Sequence, residues 1–245
     1  MIKAALQYIS ELVKESEKTE VLEIAGKTYA NKDLRRYGKA DYASALQAST
    51  LTALLDYIGS SAAEFREDML IHIVSPTMVR LISRLDEERS REILFETNAE
   101  VSEFQFDKWY DQERFMIEMQ ANFEDSEDRA LILKMAGNVE RKNDQSFTDN
   151  GTDQTATMHV GIASKADVIV PNPVRLIPYR TFQEVDQPAS SFVFRLGDKE
   201  VPAFKIIEAE GGIWKNEAVR NIKEYLAAHI AEMPEGIQRR ITIIG

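Results

Sequence analysis

The chain has 245 residues, of which 44% are hydrophobic, so it is long enough to bury a substantial core in one or two domains. It contains no cysteine, which excludes disulfides, thiolate nucleophiles and cysteine metal ligands. Its formal net charge of −11 argues against broad attraction to duplex DNA. No stretch approaches the roughly 18 apolar residues of a membrane span, and residues 1–12 lack a signal-peptide pattern. We therefore expect a cytoplasmic protein with no membrane partner.

Apolar spacing predicts a helix-rich first part that contains a short sheet. Apolar residues three and four positions apart predict a helix over 2–16, and the runs around Ala25-Gly26 predict a hairpin over 21–30. Asp41 is predicted to cap a helix that continues through Leu46 and Ala48. The other elements predicted here are a helix over 51–58, strands over 69–74, 78–85 and 92–97, a helix over 108–123 capped by Asp107, and a helix that begins at Ser126.

The second part is predicted to be rich in strands. It begins after a polar stretch that contains the turn dipeptide Asn150-Gly151. Strands are predicted over 155–163, 166–170, 174–182, 191–196 and 203–208, followed by a helix over 214–233 and a strand over 237–244.

The order of these elements indicates an α+β fold. A helix-rich N-terminal part with a short sheet precedes a β-rich C-terminal part that is closed by a long helix and a terminal strand. We divide the chain into an acidic mixed α/β region, 1–145, and a β-rich region with a C-terminal helix, 146–245, with one continuous domain as the alternative.

Acidic residues are concentrated in one segment. Residues 86–128 hold fifteen Asp and Glu against four Arg and Lys, so the local charge equals that of the whole chain. The ordinary explanation is a solvated surface that keeps the protein soluble. One alternative is a docking surface for a basic partner or a mimic of nucleic acid. Another is a divalent-metal nuclease or phosphatase, which requires carboxylates that converge on the ion.

Five carboxylates in this segment recur at steps of three or four residues. That spacing would place them on one face of a helix, although part of the segment also resembles a strand. We take them as the candidate acidic surface for a partner protein. They are Glu96, Glu100, Glu103, Asp107 and Asp111.

Basic and aromatic residues interleave in the proline-punctuated run PNPVRLIPYRTFQEVDQPASSFVFRL, 171–196. Single-stranded nucleic acid is bound by aromatic rings that stack on bases and by guanidiniums that contact phosphates. The simpler explanation is strand alternation, which buries Phe192 and Phe194 on one face and points Arg195 to the other. The candidate nucleic-acid contacts are Arg175, Tyr179, Arg180 and Arg195.

The sequence contains no motif that indicates catalysis. Its histidines, His72, His159 and His229, lie in separate predicted elements without a second ligand one turn away, so we expect neither a metal site nor a cofactor. A Gly-x-Ser-x-Gly elbow is missing. Gly211-Gly212 precedes a helix without the rest of a phosphate-binding pattern, so it is predicted to form a structural turn.

Three stretches of the chain resemble the YfdQ-like family of bacteriophage and prophage proteins, whose function is unknown. They are YDQERFMIEMQANFEDSEDRALILKMAGNVE at 110–140, DNGTDQTATMHVGIASKADVIVPNPVRLIPYRTFQEVDQPASSFVFRL at 149–196, and EAEGGIWKNEAVRNIKEYL at 208–226. The resemblance implies a phage or prophage gene product made inside a bacterial host cell. It brings no established catalytic residues.

Three functional hypotheses follow. The first is a non-enzymatic interaction protein that binds a host or phage protein through the acidic surface, for example as a counter-defence factor. The second is an accessory factor that handles single-stranded DNA in phage replication or recombination. The third is a metal-dependent nuclease or phosphatase. Unpaired strand edges such as 241–244 would allow a homo-oligomer, and burial of that strand in its own sheet is the alternative.

Overall fold

The structure is a computed structural model that describes residues 2–24, 26–32, 42–65, 67–101, 104–139, 147–149, 153–160, 164–197 and 202–245. The chain divides into two compact units, an N-terminal unit, Met1–Tyr42, and a main unit, Ala43–Gly245. The fold is α+β, as the order of the predicted elements indicates. The domain division predicted after residue 145 stays a prediction.

Among its described residues the N-terminal unit has one helix and one hairpin. Helix α1 spans Ile2–Ser16, and strands β1, Val21–Ile24, and β2, Lys27–Ala30, pair antiparallel. Gly26 has a φ of 73° in the connecting turn, a conformation that glycine adopts without steric cost. Both elements confirm the sequence prediction.

The main unit contains two larger sheets, a smaller sheet and five helices among its described residues. In chain order its elements are β3 (Leu46–Ala48), α2 (Leu51–Ser60), β4 (Met69–Ser75), β5 (Met78–Ser83), β6 (Ile93–Asn98), β7 (Tyr110–Asp111), α3 (Gln112–Asn122), α4 (Glu127–Asn138), β8 (Phe147–Asp149), β9 (Asp153–Val160), β10 (Ser164–Pro171), β11 (Val174–Leu176), β12 (Ser190–Gly197), β13 (Ala203–Glu208), α5 (Trp214–Ala231), α6 (Glu235–Gln238) and β14 (Ile241–Ile244).

A five-stranded mixed sheet forms the first core. Its strand order is β14-β4-β5-β6-β3, and helices α2 and α5 contact it and each other. Met69, Ile71 and Ile73 alternate with more exposed residues along β4, which is the pattern of a strand with one buried face. Strand β14 is a parallel neighbour of β4 in the same chain, so the terminal strand is paired within its own sheet.

A four-stranded antiparallel sheet forms the second core, which is rich in phenylalanine. Its strand order is β11-β12-β13-β7, and α3 and α4 cover it together. The fully buried ring of Phe115 in α3 stacks on Phe204 of β13 with 5.0 Å between centroids. Phe192 and Phe194 are also fully buried, which confirms the alternation predicted for β12. A separate three-stranded sheet has the order β10-β9-β8.

Two helix starts were predicted wrongly. Residues 46–48 form strand β3 beside β6 instead of continuing a helix, and the proposed cap Asp41 lies outside the described residues. Helix α3 is capped by Asp111, whose carboxylate accepts a hydrogen bond from the Arg114 N–H at 2.8 Å. Asp107 cannot serve as this cap, because its φ is 61° and residues 110–111 pair with β13 before the helix begins.

Three predicted strands are also shorter than expected, and the strand predicted over 78–85 ends at Ser83. The strand predicted over 174–182 ends at Leu176. The residues that follow pair instead with the link between α3 and α4. The closing strand predicted over 237–244 is confined to Ile241–Ile244, and the residues before it form the short helix α6. The predicted Ser126 cap of α4 is confirmed, since its hydroxyl accepts from the Arg129 N–H at 3.2 Å. The predicted turn Asn150-Gly151 lies outside the described residues. No helix among the described residues is long and apolar enough to cross a membrane.

We expect the cap at Asp111 to stabilise α3 measurably. Asp111→Ala removes an exposed side chain whose hydrogen bond satisfies a free helix N–H, so the free energy of unfolding should fall by about 1 kcal/mol. Asp111→Asn is the matched control, since asparagine caps a helix nearly as well. The measurement is chemical denaturation, and equal losses in the two variants would contradict the assignment.

Candidate binding cavity beside a buried arginine

A proline-bounded segment, residues 177–188, connects β11 to β12, and we call it the strap. The start of the strap runs antiparallel to residues 123–126, which link α3 to α4. The N–H of Glu124 donates to the Ile177 carbonyl at 2.8 Å, and the N–H of Tyr179 donates to the Asn122 carbonyl at 3.0 Å. These backbone bonds fix the strap against the α3–α4 link.

The side chain of Gln187 closes the strap into a compact loop. Its Oε1 accepts from the N–H groups of Arg180 at 2.9 Å and Thr181 at 3.2 Å. Its Nε2 donates to the carbonyls of Phe182 at 2.9 Å and Val185 at 3.3 Å. A carboxamide has two donor hydrogens and two acceptor positions, so this buried group is fully satisfied.

The guanidinium of Arg180 is buried between the strap, the antiparallel sheet and α5. It donates to Glu208 Oε1 at 3.1 Å, to the Pro188 carbonyl at 3.3 Å and to the Ser190 hydroxyl. Its Cζ lies 4.1 Å from the centre of the Trp214 ring, within range of a cation–π interaction. Burial lowers the pKa of Arg180, and the charge of Glu208 opposes that effect. An arginine remains charged even so.

The strap also joins the two cores of the main unit. Phe182 and Val185 pack in the core of the mixed sheet, whereas Phe192, just after the strap, packs in the phenylalanine-rich core. The Thr181 hydroxyl donates to the Pro76 carbonyl at 2.5 Å in the β4–β5 turn. The Glu184 carboxylate accepts from the Thr52 N–H at 3.2 Å at the start of α2.

A cavity of about 340 Å³ lies where the strap meets the α3–α4 link. Its lining residues are Glu124, Tyr179, Gln183 and Gln187. Glu124 and Tyr179 are half-buried, and Gln183 is exposed. Gln187 is committed to the strap, but within the described part of the chain no hydrogen bond involves the side chains of the other three. A carboxylate, a phenol and a carboxamide together suit a ligand group that donates several N–H bonds.

The four described members of the predicted acidic set do not form one helical face. Glu96 lies on β6, where its carboxylate is 2.6 Å from the Arg80 Nε. Asp107 forms an ion pair of 2.7 Å with Lys205, and Asp111 caps α3. Glu100 is exposed just after β6, and Glu103 lies outside the described residues. None of the four described residues is in a helix, because strand pairing fixes this part of the chain.

The four predicted nucleic-acid contacts are dispersed in a similar way. Arg175 is exposed on β11, and its backbone N–H donates to Asp128 at 2.6 Å. Tyr179 lines the cavity, where the Glu124 carboxylate would repel a phosphate. The Arg180 guanidinium is buried, and Arg195 is half-buried on β12 opposite Lys205. Most aromatic residues of the run 171–196 are therefore packed in the two cores, and Arg180 holds the strap in place.

The sequence patterns did not single out three of the cavity residues. Glu124 belongs to the acidic segment but is out of step with the periodic carboxylates, and Gln183 and Gln187 carry no motif. Pro178 and Pro188 were the sequence signal that could have located the strap. Proline has no backbone N–H to donate to a neighbouring strand, so it marks a segment that leaves the sheet.

Comparison with known proteins does not identify the chain. No family model, no curated protein and no solved structure matches it. Within the residues that the structure describes, no group of three or more His, Asp and Glu is arranged to hold a metal ion.

Replacement of Arg180 tests its structural role. Arg180→Lys keeps the charge but cannot reproduce the contacts with Ser190, Pro188 and Trp214, so the free energy of unfolding should fall by about 2–4 kcal/mol. The exposed Arg175 provides the control, and Arg175→Lys should change it by less than about 0.5 kcal/mol. Urea denaturation measures both, and a loss of less than about 1 kcal/mol for Arg180→Lys would contradict the burial argument.

The stability contributed by Glu96 should depend on pH. Hydrogen bonds from Asn98 and Arg80 hold the pKa of the Glu96 carboxyl below its ordinary value of 4.5. This contribution is present above that value and is lost as the pH falls through the pKa of the folded protein. The stability difference between the wild type and Glu96→Gln should therefore be largest at neutral pH and shrink below about pH 4. A difference that stays constant down to about pH 3 would be inconsistent with the shift.

Proposed function

We propose that this protein is a non-enzymatic binding protein that docks a basic group of a partner protein in the cavity between the strap and the α3–α4 link. The observation that carries the proposal is the set of polar side chains at the cavity. Glu124, Tyr179 and Gln183 present oxygen acceptors there, and within the described residues no hydrogen bond occupies their side chains.

The chemistry of the cavity favours a guanidinium or an ammonium group. The Glu124 carboxylate accepts charge-assisted hydrogen bonds, which are stronger than those between neutral groups. The Tyr179 ring offers a face for a cation, and the amide oxygen of Gln183 is a further acceptor. An anionic ligand would meet the carboxylate without a compensating cation in the lining.

Nearby charges support approach by a basic partner. Residues 124–128 contain four acidic side chains in five positions. Asp125 pairs with Arg129 at 2.8 Å, and Asp128 accepts from the Arg175 N–H at 2.6 Å. Within the described residues Glu124 and Glu127 have no ion-pair partner, so they add negative potential at the cavity mouth. Such potential accelerates encounter with a basic surface and is screened by salt.

The docking surface that we propose is at Glu124 and not at the periodic carboxylates of the acidic segment. Glu96, Asp107 and Asp111 already serve an ion pair with Arg80, an ion pair with Lys205 and the α3 cap. Reversing their charges would damage the fold together with any interface. Glu124 can be changed with less structural cost, because only its backbone N–H takes part in the fold.

The resemblance to the YfdQ-like family belongs to the same proposal. On that assignment the protein is made inside a bacterial host during phage or prophage expression. Its partner is then a host or phage protein that presents a basic surface, and a component of a host defence system would make it a counter-defence factor. The single-stranded-DNA hypothesis and the metal-dependent enzyme hypothesis remain predictions.

Affinity capture tests the proposal. The tagged protein is incubated with a lysate of phage-infected bacteria, with and without nuclease treatment, and the retained proteins are identified by mass spectrometry. Binding of the purified partner is then measured for the wild type and Glu124→Lys. We expect the affinity to fall tenfold or more, about 1.4 kcal/mol, because a like charge replaces the paired carboxylate.

Two further variants separate an effect at the cavity from an effect of net charge. Glu224→Lys changes the net charge by the same amount on the exposed side of α5 and should bind as the wild type does. Tyr179→Phe keeps the ring and removes the hydroxyl, so it should weaken binding by a smaller factor than Glu124→Lys. Equal binding by wild type and Glu124→Lys would reject the cavity. Retention that disappears after nuclease treatment would instead support the single-stranded-DNA hypothesis.

A further inference from the structure

Two of the cavity residues follow a short antiparallel pairing of two chain segments. Phe123 of the α3–α4 link forms an antiparallel bridge with Pro178 of the strap, and both side chains are buried. The two backbone bonds between the link and the strap flank this bridge. Side chains alternate between the two sides of an extended segment, so Glu124 and Tyr179, which follow the bridged residues, both project to the opposite, half-buried side.

Glu124 and Tyr179 are a diagonal pair across this bridge. Each lies one residue after its bridged neighbour, and the two segments run in opposite directions. Diagonal neighbours on one face lie about 7–8 Å apart, within reach of aromatic and long side chains. The carboxylate and the phenol ring can therefore contact one flat ligand group from two sides. Gln183 adds a carboxamide oxygen to the same cavity of about 340 Å³.

A guanidinium suits this arrangement better than an ammonium group does. The face of a guanidinium stacks on an aromatic ring, while its edge presents five N–H donors in one plane to carboxylate and amide oxygens. A lysine ammonium has three donors on a compact, strongly hydrated charge and has no face that can stack. The cavity offers one ring and two planar acceptor groups, from Tyr179, Glu124 and Gln183. Only a guanidinium uses all three in separate contacts.

The strap already holds one guanidinium by the same combination of contacts. The Cζ of Arg180 lies 4.1 Å from the centre of the Trp214 ring, and the edge of its guanidinium donates to Glu208 at 3.1 Å. These contacts keep Arg180 inside the fold, and Glu208 offsets its charge. On the side of the link, Arg129 is paired with Asp125 at 2.8 Å. The two cations nearest in sequence to the cavity residues are thus compensated and oppose a second cation only weakly.

We propose that the cavity selects an arginine side chain of the partner, whose guanidinium stacks on Tyr179 and pairs through its edge with Glu124, and that lysine binds more weakly in the same place. Gln183 accepts a further N–H of the guanidinium. This inference rests on the proposed function and names the residue type that the cavity recognises. Both side chains carry one positive charge, so the selection depends on the flat shape and the donors of the guanidinium.

Titration with capped tripeptides tests the selection. The probes are acetylated and amidated peptides with a central arginine, lysine, asymmetric dimethylarginine or citrulline between two glycines, and the readout is the NMR shift of the Glu124, Tyr179 and Gln183 amides. The arginine peptide should bind about fivefold or more tightly than the lysine peptide. Dimethylarginine keeps the charge but blocks part of the edge, so its affinity should fall towards that of lysine. Citrulline keeps the shape without the charge and should bind most weakly.

Three variants separate the stacking contact from the charge. Tyr179→Leu keeps an apolar side chain but removes the ring face, so the arginine and lysine peptides should bind within about twofold of each other. Gln183→Leu removes an acceptor from an exposed side chain and should weaken the arginine peptide more than the lysine peptide. Because Gln183 is exposed, this variant tests the selection even if Tyr179→Leu does not fold. Glu124→Gln should weaken both peptides, since it removes the charge that both contact.

The outcomes distinguish this inference from the proposed function. Equal binding of the arginine and lysine peptides at the cavity amides, weakened by Glu124→Gln, would overturn the selection and leave the cation-binding cavity in place. A preference for arginine that Tyr179→Leu and Gln183→Leu leave unchanged would also overturn it. No shift of the cavity amides with either peptide up to about 10 mM would reject the selection and the cavity together. Tighter binding of free L-arginine than of its capped peptide would contradict a side chain of a partner protein as the occupant.

Discussion

The guanidinium of Arg180 joins parts of the main unit that are far apart in sequence. It contacts the end of the strap at Pro188, the beginning of β12 at Ser190, the end of β13 at Glu208 and the first residue of α5 at Trp214. A buried cation is costly unless hydrogen bonds and an opposite charge compensate it. Because these groups come from four elements, that compensation requires all four to be in place. Arg180 therefore constrains the position of the strap more tightly than apolar packing alone would.

The cavity is a consequence of this constraint. Tyr179 precedes Arg180 in the chain, and the backbone bonds to residues 122–124 hold its ring beside Glu124. Gln187 fixes the other end of the strap by accepting from the Arg180 N–H. The lining residues are thus positioned by the backbone bonds to the α3–α4 link and by the hydrogen bonds of Gln187 within the strap. A site whose walls are fixed in advance loses less entropy on binding, which favours recognition of one basic side chain even on a small surface.

Most elements could be predicted from the sequence, because helix caps and strand alternation depend on residues that are close together in the chain. The Ser126 cap and the alternation around Phe192 and Phe194 depend on neighbouring residues and were correct. The start of α3 was wrong because pairing of residues 110–111 with β13 overrides the helical spacing. The helical spacing of the carboxylates was also misleading, because strand pairing places Glu96 on β6 and Asp111 on β7. The cavity could not be predicted, because it depends on contact between residues more than fifty positions apart, such as Glu124 and Tyr179.

Native-state hydrogen exchange of the full-length protein tests most directly whether the strap holds the cavity rigid. The informative amides are those of Arg180 and Thr181, which donate to the buried Gln187 side chain. If the strap is part of the cooperative core, these amides exchange only when the main unit unfolds, with the same free energy as the most protected amides of β12. Exchange through a local opening several kcal/mol below that value, while β12 stays protected, would contradict a preformed cavity.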